Sequence, residues 1–522
     1  MDGGWMKKDL VCQYLKEPES PSEQYSRMFG SSALIVDISK LAFPQGNISW
    51  RIFHRKLVVD TELESGRVYV GSINYLYQLT ADLSLTVTHQ TGPVKDSPKC
   101  PASQKCDVKV PKVEADNYNK ALAIYKKTSK LIVCGSVFQG SCSLHNLYNI
   151  SIFDAPVHRA VVANDEYSST VIFVGPGPPN PLSTNVLYVG STYTALGSYR
   201  DDVPAVATLR LEPPIEEMFT IVKKGVHAAS FIQIEVSKRE VYRINYIHGF
   251  ISSSFAYFLT QQPEYDNQAV SGGLPQHHST LISKIIRVCT SDENYFSYTE
   301  VPLKCVAYSG RRQGRGERPE LHYNLIQAAY VTKPGFDLAE QMGITTSDDV
   351  LFAVFTAGDG MSHDLRQVSS TQNIDSAGPD QPSAVCVYSL KAIEKVFLQN
   401  IKTCAEGNTV RGLDFIKKGR KCQKMQFVNE EDMACGTEVN YPLGGRIPIE
   451  TEPALELNDV QVTSVVAATV HPHTVLFLGT KQGGLEKVLV DAGLGAHRYA
   501  SIPLSRELLP ILKGILRYNA TA

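Results

Sequence analysis

The chain has 522 residues, a formal net charge of −2 and a hydrophobic fraction of 43%. This length predicts two to four domains or one large repeat fold, and the hydrophobic fraction is enough for a sizeable core. The near-neutral charge gives no electrostatic footprint for nucleic acid or an anionic membrane, and no run of about 18 apolar residues predicts a membrane span.

The N-terminus and the cysteines indicate different compartments. Lys7 and Lys8 are not followed by an apolar run, so the first residues do not form a secretory signal. Eleven cysteines, together with glycosylation sequons at Asn47, Asn149 and Asn519, are nevertheless typical of a secreted chain. We reconcile the two observations by a signal-bearing N-terminus that is missing or alternative.

Short apolar strands, many ending in Gly-Ser or Gly-Thr turns, recur along the chain. The copies are VYVGSINYLYQL at 68–79, LIVCGS at 131–136, VLYVGS at 186–191, HGFISSSFAYFL at 248–259, DVLFAVF at 349–355 and TVLFLGT at 474–480. The first copies lie roughly 60 residues apart, and the wider later intervals predict an insertion and a further unit without a visible copy. Because such strand pairs cannot bury their faces alone, they favour radial stacking into an all-β propeller, with a β-sandwich with irregular loops as the alternative.

Helices are predicted to be few. The segment 390–401 (LKAIEKVFLQNI) has apolar residues at helical spacing and predicts a helix before Cys404. The segment 324–331 fits either a helix or a strand. The glycine-rich basic segment 309–320 predicts a solvated loop or, alternatively, a patch for heparan sulfate or an acidic partner, and 358–382 predicts a flexible insertion.

Catalytic and metal-binding motifs are missing from the sequence. No nucleophile elbow, HExxH helix, EF-hand loop or phosphate-binding loop is present, and the pair His277-His278 has no further ligand at a suitable spacing. The adjacent carboxylates Asp348 and Asp349 are expected to point to opposite faces of a strand and to lie in a solvated turn. We therefore expect a binding module that is not an enzyme and holds neither a metal nor a cofactor.

Ordered motifs over roughly 50–500 resemble the sema domain of plexins. The opening strands at 57–60 and 66–74 also fit semaphorins, whereas the later motifs are plexin-like. These motifs are THQTGP at 88–93, DSPKC at 96–100, CGSVFQGSC at 134–142, CTSDENYFSYTEVPLKC at 289–305, LIQAAY at 325–330, DDVLFAV at 348–354, PLGG at 442–445, LFLGTK at 476–481 and KV at 487–488. The segments 161–165 and 174–178 are most similar to those of invertebrate A-class plexins.

The resemblance implies a seven-bladed β-propeller with an insertion in the fifth blade, which we expect after about residue 255. It assigns 46–522 to the propeller, with an incomplete last blade and without the cysteine-rich PSI module, and leaves 1–45 as an atypical, disordered segment. It also implies five disulfides and leaves Cys12 unassigned. The implied pairs are Cys100–Cys106, Cys134–Cys142, Cys289–Cys435, Cys305–Cys386 and Cys404–Cys422.

The implied function is that of a receptor ectodomain on the outer face of the plasma membrane, which binds a semaphorin in axon guidance and cell migration. A plexin homo-oligomer or a co-receptor is a further implied partner. The alternatives are a semaphorin-type ligand with the same fold, which the plexin-like segment 88–106 argues against, and a propeller enzyme with ligands converging on the central channel.

Two loops are expected to dock the semaphorin, since sema domains of this family use one face and its edge loops. By position they are Tyr199-Arg200-Asp201-Asp202 and Gly412-Leu413-Asp414-Phe415. Each combines an aromatic ring with charge, a composition found at binding hot spots and their rims. The alternative is that both are ordinary solvated turns.

Overall fold

The computed structural model describes residues 33–35, 56–59, 66–503 and 515–517, with internal gaps at 83, 155–156, 201–202, 226–227, 266–278, 309–319, 359–381, 427–432, 437 and 491–494. Its fold is an all-β propeller. Valine, isoleucine and aromatic residues fill the strands, whose alternating side chains pack against the sheets on either side. The first and last described strands, β1 (Ala33–Ile35) and β30 (Ile515–Arg517), pair antiparallel and bring the two ends of the described chain together.

The N-terminal half of the described chain forms three sheets of antiparallel strands in sequence order. The first contains β2 (Lys56–Val59), β3 (Val68–Gly71), β4 (Tyr75–Leu79) and β5 (Leu85–Gln90), and is followed by the pair β6 (Val94–Asp96) and β7 (Val113–Ala115). The second contains β8 (Asn119–Tyr125), β9 (Lys130–Gly135) and β10 (Cys142–Asn146). The third contains β11 (Thr170–Pro176), β12 (Asn185–Ser191), β13 (Val206–Arg210) and β14 (Phe231–Ile232).

The C-terminal half contributes three further sheets, of which the fourth is the largest. The fourth contains β15 (Asn245–Ser252), β16 (Phe255–Tyr265), β17 (Ser279–Cys289), β18 (Thr299–Tyr308) and β19 (Glu320–Tyr323). The fifth contains β20 (Leu325–Thr332), β21 (Val350–Thr356), β22 (Ser383–Ser389) and β25 (Pro453–Leu457). The sixth contains β26 (Val462–Val470), β27 (His473–Thr480), β28 (Gly484–Val490) and β29 (Ala496–Pro503). The segment 324–331, ambiguous in sequence, is thus a strand.

The main hydrophobic cores lie between successive sheets. One core joins the first and second sheets through Tyr69 and Leu131, and the next joins the second and third through Ile132 and Leu187. The remaining interfaces contain Tyr188 with Phe258, Tyr257 with Phe355, and Phe352 with Leu476. This sequential arrangement is the radial stacking of a propeller, whereas a sandwich would have one core between two sheets.

Among the described residues, five sheets have at least four strands and one has three. Together with the β1–β30 pair, this falls short of the seven full blades expected from the sequence.

The insertion lies in the fifth sheet, but not where the sequence led us to expect it. The region after 255 forms the long β16–β17 hairpin of the fourth sheet. The insertion in the fifth sheet instead comprises 390–452, between its third and fourth strands. The interval between the strand copies at 248–259 and 349–355 gave no sign that the extra chain follows β22.

The insertion braces the outer edge of the fourth sheet. It begins with helix α2 (Leu390–Ala405), as the sequence predicted, and a shorter helix, α1 (Phe336–Gln341), precedes β21. Two short strands, β23 (Leu443–Gly444) and β24 (Ile449–Thr451), pair parallel with β18. An edge strand that would otherwise present unpaired backbone groups is thereby covered.

Five disulfides are present in the described part of the chain, and they are the pairs that the resemblance implied. Cys289–Cys435 ties the fourth sheet to the insertion, and Cys305–Cys386 joins the fourth sheet to the fifth. Cys404–Cys422 closes a loop inside the insertion. Cys134–Cys142 crosslinks β9 and β10, and Cys100–Cys106 closes the connection between β6 and β7.

Candidate ligand-binding face

Two connections of the third sheet emerge at the same end of that sheet. Because its strands are antiparallel and in sequence order, the loop 192–205, which follows β12, and the segment 233–244, which follows β14, leave from one end. The turn 177–184 between β11 and β12 leaves from the other. Arg239 lies over the ring of Tyr193, with its guanidinium carbon 6.0 Å from the ring centroid, and so connects the two segments. We call this end of the sheet, with both segments, the third-sheet end.

Arg200 anchors the loop 192–205 to the second sheet. Its guanidinium is fully buried and donates to the carbonyl oxygens of Gln139 at 2.7 Å and Val162 at 2.9 Å. Burial lowers the pKa of Arg200 to about 10, although Asp165 opposes the shift. The expected docking role of Arg200 is therefore wrong, because its guanidinium is hydrogen-bonded to backbone carbonyls inside the fold and is not accessible to a ligand.

The contacts of Arg200 continue into the first disulfide loop. The amide of Gln139 donates to the carbonyls of Pro98 and Cys100, at 3.0 and 2.8 Å. Gly197 has a φ of +99°, and a Cβ there would collide with the Pro98 carbonyl. Only glycine combines this backbone conformation with such a close approach. The loop 192–205 is consequently held in one arrangement by the segments beneath it.

Tyr199 is the one residue of the first predicted docking loop that the structure places at the surface. Its side chain is 38% exposed beside the buried Arg200. Asp201 and Asp202 lie outside the described residues, so their expected role stays a prediction.

The second predicted docking loop faces inward. Leu413 is 1% exposed and Phe415 is fully buried, and both belong to the core between the third and fourth sheets. The ring of Phe415 lies 5.1 Å from that of Tyr242, and the backbone N–H of Glu235 donates to the Phe415 carbonyl. Gly412 is buried as well. The expected contacts of Gly412, Leu413 and Phe415 with a ligand are therefore wrong, since their apolar surfaces already fill the junction between two sheets.

Asp414 belongs to a buried charge network. The ammonium group of Lys284 lies 2.8 Å from Glu300 and 3.4 Å from Asp414. Burial alone disfavours the charge on Lys284, but the two carboxylates outweigh it and raise the pKa of Lys284 above its usual value. Gln262 donates to the other oxygen of Glu300 at 3.2 Å, and the Tyr242 hydroxyl donates to Gln262. The network fixes the insertion to β17 and β18.

A cavity of about 500 Å³ borders this network. It lies between the fourth sheet and the insertion, and its charged lining includes Glu264, Lys304, His322 and Arg446. No group of three His, Cys, Asp or Glu side chains suited to a metal ion occurs in the described part of the chain. Lys284 and Glu300, the most buried charges of the lining, are engaged with each other, which suits a structural role.

Sequence reasoning missed the exposed residues of the segment 233–244. Val236 and Val241 are 76% and 63% exposed, and charged residues lie between them. The segment is held from below by the insertion, because the Lys417 N–H donates to Glu235 and the Lys238 ammonium donates to the Asp414 carbonyl. The contacting residues are up to 182 positions apart in sequence, so no local pattern could have brought them together.

The two adjacent carboxylates lie apart from one another. Asp348 pairs with Lys391 at 2.9 Å, whereas Asp349 pairs with Lys333 at 2.6 Å and accepts a hydrogen bond from Ser252. Each therefore ties a different segment, in keeping with the expectation that they share neither a proton nor an ion.

Other predicted sites lie mainly outside the described residues. Asn149 is half-buried, and its side-chain oxygen accepts a hydrogen bond from the Ser151 N–H at 2.9 Å. Outside the described residues are Cys12, Asn47, His277, His278 and Asn519, together with nearly all of the basic segment 309–320 and of the segment 358–382. No helix in the described ranges is long and apolar enough to cross a membrane.

The comparisons with known proteins indicate sema domains and plexins. Residues 326–517 match the Sema domain family. Human plexin-A2 is 30% identical over 485 residues, covering 90% of this chain and 23% of its own length. Mouse plexin-A4 is 32% identical over 458 residues, covering 85% of this chain and 22% of its own length. The chain therefore spans about a quarter of the length of these curated relatives.

Solved structures of a plexin and of a semaphorin are both similar to this chain. The full extracellular region of plexin A4 is 27% identical with a TM-score of 0.74, covering 91% of this chain and 40% of that one. Drosophila semaphorin 2a is 13% identical with a TM-score of 0.56, covering 87% of this chain and 69% of that one, and so shares the fold. The two curated relatives come from vertebrates, so they do not test the expected likeness to invertebrate A-class plexins.

Proposed function

We propose that this chain is the semaphorin-binding propeller of a plexin-type cell-surface receptor that acts in axon guidance and cell migration. The observation that carries the proposal is the likeness to A-class plexins, at about 30% identity over 90% of the chain, on the same propeller scaffold. The propeller displays exposed loops on a disulfide-braced frame, as a binding module requires. Extracellular exposure follows from the five disulfides, which persist in an oxidising compartment.

The proposal includes the finer features that the family implies. The β1–β30 pair would belong to a seventh, closing blade, so the propeller would include the strand at Ala33–Ile35, inside the segment 1–45 that the resemblance left outside it. The motifs at 161–165 and 174–178 support an invertebrate A-class member. A homo-oligomer or a co-receptor remains a proposed further partner, and the chain would have no catalytic role.

A semaphorin-type ligand is the second candidate, because it would share the fold. The likeness to Drosophila semaphorin 2a is weaker, with 13% identity against 27% for the plexin A4 extracellular region and a lower TM-score. Both values favour the receptor.

The semaphorin would dock on the third-sheet end. Tyr199, Val236 and Val241 present an aromatic and two aliphatic side chains to solvent. Lys238, Arg239 and Glu240 lie between the two valines in sequence and supply charge to the rim, and the contacts expected of Asp201 and Asp202 stay a prediction. Apolar contacts inside a charged rim are the usual anatomy of a protein–protein interface.

Binding of labelled semaphorin to cells that display the chain tests this site. We expect the double substitution Val236→Asp and Val241→Asp to weaken binding at least about tenfold, because two apolar contacts are replaced by charge at the centre of the interface. The matched control is Leu182→Asp, a 97% exposed residue in the turn at the opposite end of the same sheet. Equal binding by both variants would place the docking surface elsewhere, and no binding by the unaltered chain would contradict the function itself.

A further inference from the structure

A short hairpin of the insertion carries a concentration of cationic side chains. Within the segment 417–424, KKGRKCQK, five of eight residues are lysine or arginine and none is acidic. The side chains of Lys418, Arg420, Lys421 and Lys424 are exposed. We call these four residues the basic hairpin. This is a strong local excess of positive charge in a chain whose net charge is −2.

The backbone beneath the basic hairpin is fixed by hydrogen bonds and a disulfide. The Arg411 N–H donates to the Arg420 carbonyl, and the Cys422 N–H donates to the Thr409 carbonyl, both at 2.8 Å. Cys422 is bonded to Cys404 at the end of helix α2. A cationic ligand-binding surface gains from such a frame, because less conformational freedom is lost when the ligand binds.

Three of the four cations form no ion pair with another described residue, namely Arg420, Lys421 and Lys424. The ammonium of Lys418 lies 3.9 Å from Asp414. Burial, together with the charges of Arg420 and Arg411, lowers the pKa of Lys417, whose ammonium lies 4.7 Å from the centroid of the Tyr441 ring. The neighbouring cations thus add to burial in disfavouring the charge on Lys417.

We infer that the basic hairpin binds a sulfated glycosaminoglycan chain. Its four exposed cations in seven residues offer several charge-assisted contacts to successive sulfate groups along one polymer. The exposed tip at Lys418 and Gly419 has no large apolar side chain to serve as a protein hot spot, which favours a polyanion over an acidic protein. This inference goes beyond semaphorin binding and requires only that the hairpin is exposed outside the cell.

Surface plasmon resonance on immobilised heparin and chondroitin sulfate tests the inference with the full disulfide-bonded chain. The test variant carries Lys418→Gln, Arg420→Gln, Lys421→Gln and Lys424→Gln. The control variant removes the same charge from four scattered exposed lysines, through Lys105→Gln, Lys109→Gln, Lys126→Gln and Lys224→Gln. We expect the test variant to bind roughly tenfold more weakly or worse and with a smaller salt dependence, and the control to bind almost as well as the unaltered chain.

The two polymers and a desulfated heparin identify the ligand. The inference is supported if binding requires the sulfate groups. The polymer that binds more tightly, heparin or chondroitin sulfate, then identifies the class of glycosaminoglycan. The inference is overturned if the unaltered chain does not bind, if desulfated heparin binds equally well, or if both variants lose affinity to the same extent. It is also overturned if the test variant keeps heparin binding but loses semaphorin binding, because the hairpin would then be a protein contact. Because heparin binding is measured without semaphorin, a failure of this inference can be distinguished from a failure of the receptor proposal.

Discussion

At the scale of single residues, His145 is held as a neutral imidazole inside the second sheet. Its Nδ1 lies 2.7 Å from the Ile150 carbonyl oxygen and its Nε2 lies 2.9 Å from the Ser143 hydroxyl, while the ring packs against both His89 and Phe153. Burial lowers the pKa of His145 to about 4, with the nearby His89 and Lys130 adding to the effect and Asp154 opposing it.

The depressed pKa of His145 predicts a loss of stability in acid. Between pH 6.5 and about 4, the unfolded chain binds a proton that the folded chain does not, so the free energy of unfolding falls as the pH is lowered through this window. His145→Phe removes the titration and keeps the ring stacking. We expect the stability deficit of this variant at pH 7 to shrink by about 2 kcal/mol at pH 5, measured by urea unfolding with the disulfides intact. A deficit that does not change with pH would contradict the buried neutral state.

Leu413 is a core residue, and a charge there should act on folding. We expect Leu413→Asp to lower the free energy of unfolding by at least about 3 kcal/mol, since an unpaired carboxylate would replace an aliphatic side chain between two sheets. The control is Lys421→Asp in the same loop, where exposure should keep the change within about 0.5 kcal/mol. Urea unfolding of both variants measures this. If Leu413→Asp were as stable as the control, the side chain would be at the surface.

At the scale of elements, the insertion is fastened to the fourth sheet through Arg287. Its buried guanidinium lies between the rings of Phe255 and Phe397, at 4.2 and 4.6 Å from their centroids, and donates to the Ala434 carbonyl at 2.8 Å. The strand, the helix and the segment around Cys435 thus all contact the guanidinium of Arg287. The pairing of β23 and β24 with β18 and the Cys289–Cys435 bond act at the same edge.

Removing one ring of this arrangement should loosen the insertion. We expect Phe397→Ala to cost about 3–5 kcal/mol of stability, because it leaves a cavity and takes away one face of the buried cation's support. Hydrogen exchange should show faster opening of helix α2 than in Lys395→Ala, an exposed substitution two residues away. Equal exchange of α2 in the two variants would show that Phe397 does not anchor it.

Strands and helices were predictable from the sequence where the residue pattern that specifies them spans only a few positions. The Gly-Ser strands and the helix after β22 follow from residues a few positions apart, and both are found. The position of the insertion was not predictable in the same way, because its supports at Glu235, Lys284 and Arg287 are more than a hundred residues from their partners. An aromatic ring beside a charge also fits a buried anchor as well as a docking loop. The composition of 412–415 therefore could not distinguish the two.

At the scale of the whole molecule, the successive sheets and their shared cores account for a rigid scaffold with exposed loops at both ends of each sheet. The residues predicted for docking lie in two loops around the third sheet, but most of those described fasten neighbouring sheets together. Exposed neighbours, Val236 and Val241 above all, provide the apolar surface of the proposed docking site instead. The general location of the proposed site rests on the family resemblance, whereas its exposed side chains could be identified only from the three-dimensional packing.

The central claim is that the chain is a receptor propeller for semaphorins, and a direct binding titration tests it most simply. The folded, disulfide-bonded chain is immobilised, and the ectodomains of a panel of semaphorins and of an A-class plexin are passed over it in turn by surface plasmon resonance. We expect saturable binding of at least one semaphorin that is weakened by Val236→Asp with Val241→Asp and kept by Leu182→Asp. Binding of the plexin ectodomain with no binding of any semaphorin would contradict it and would identify the chain as a semaphorin-type ligand.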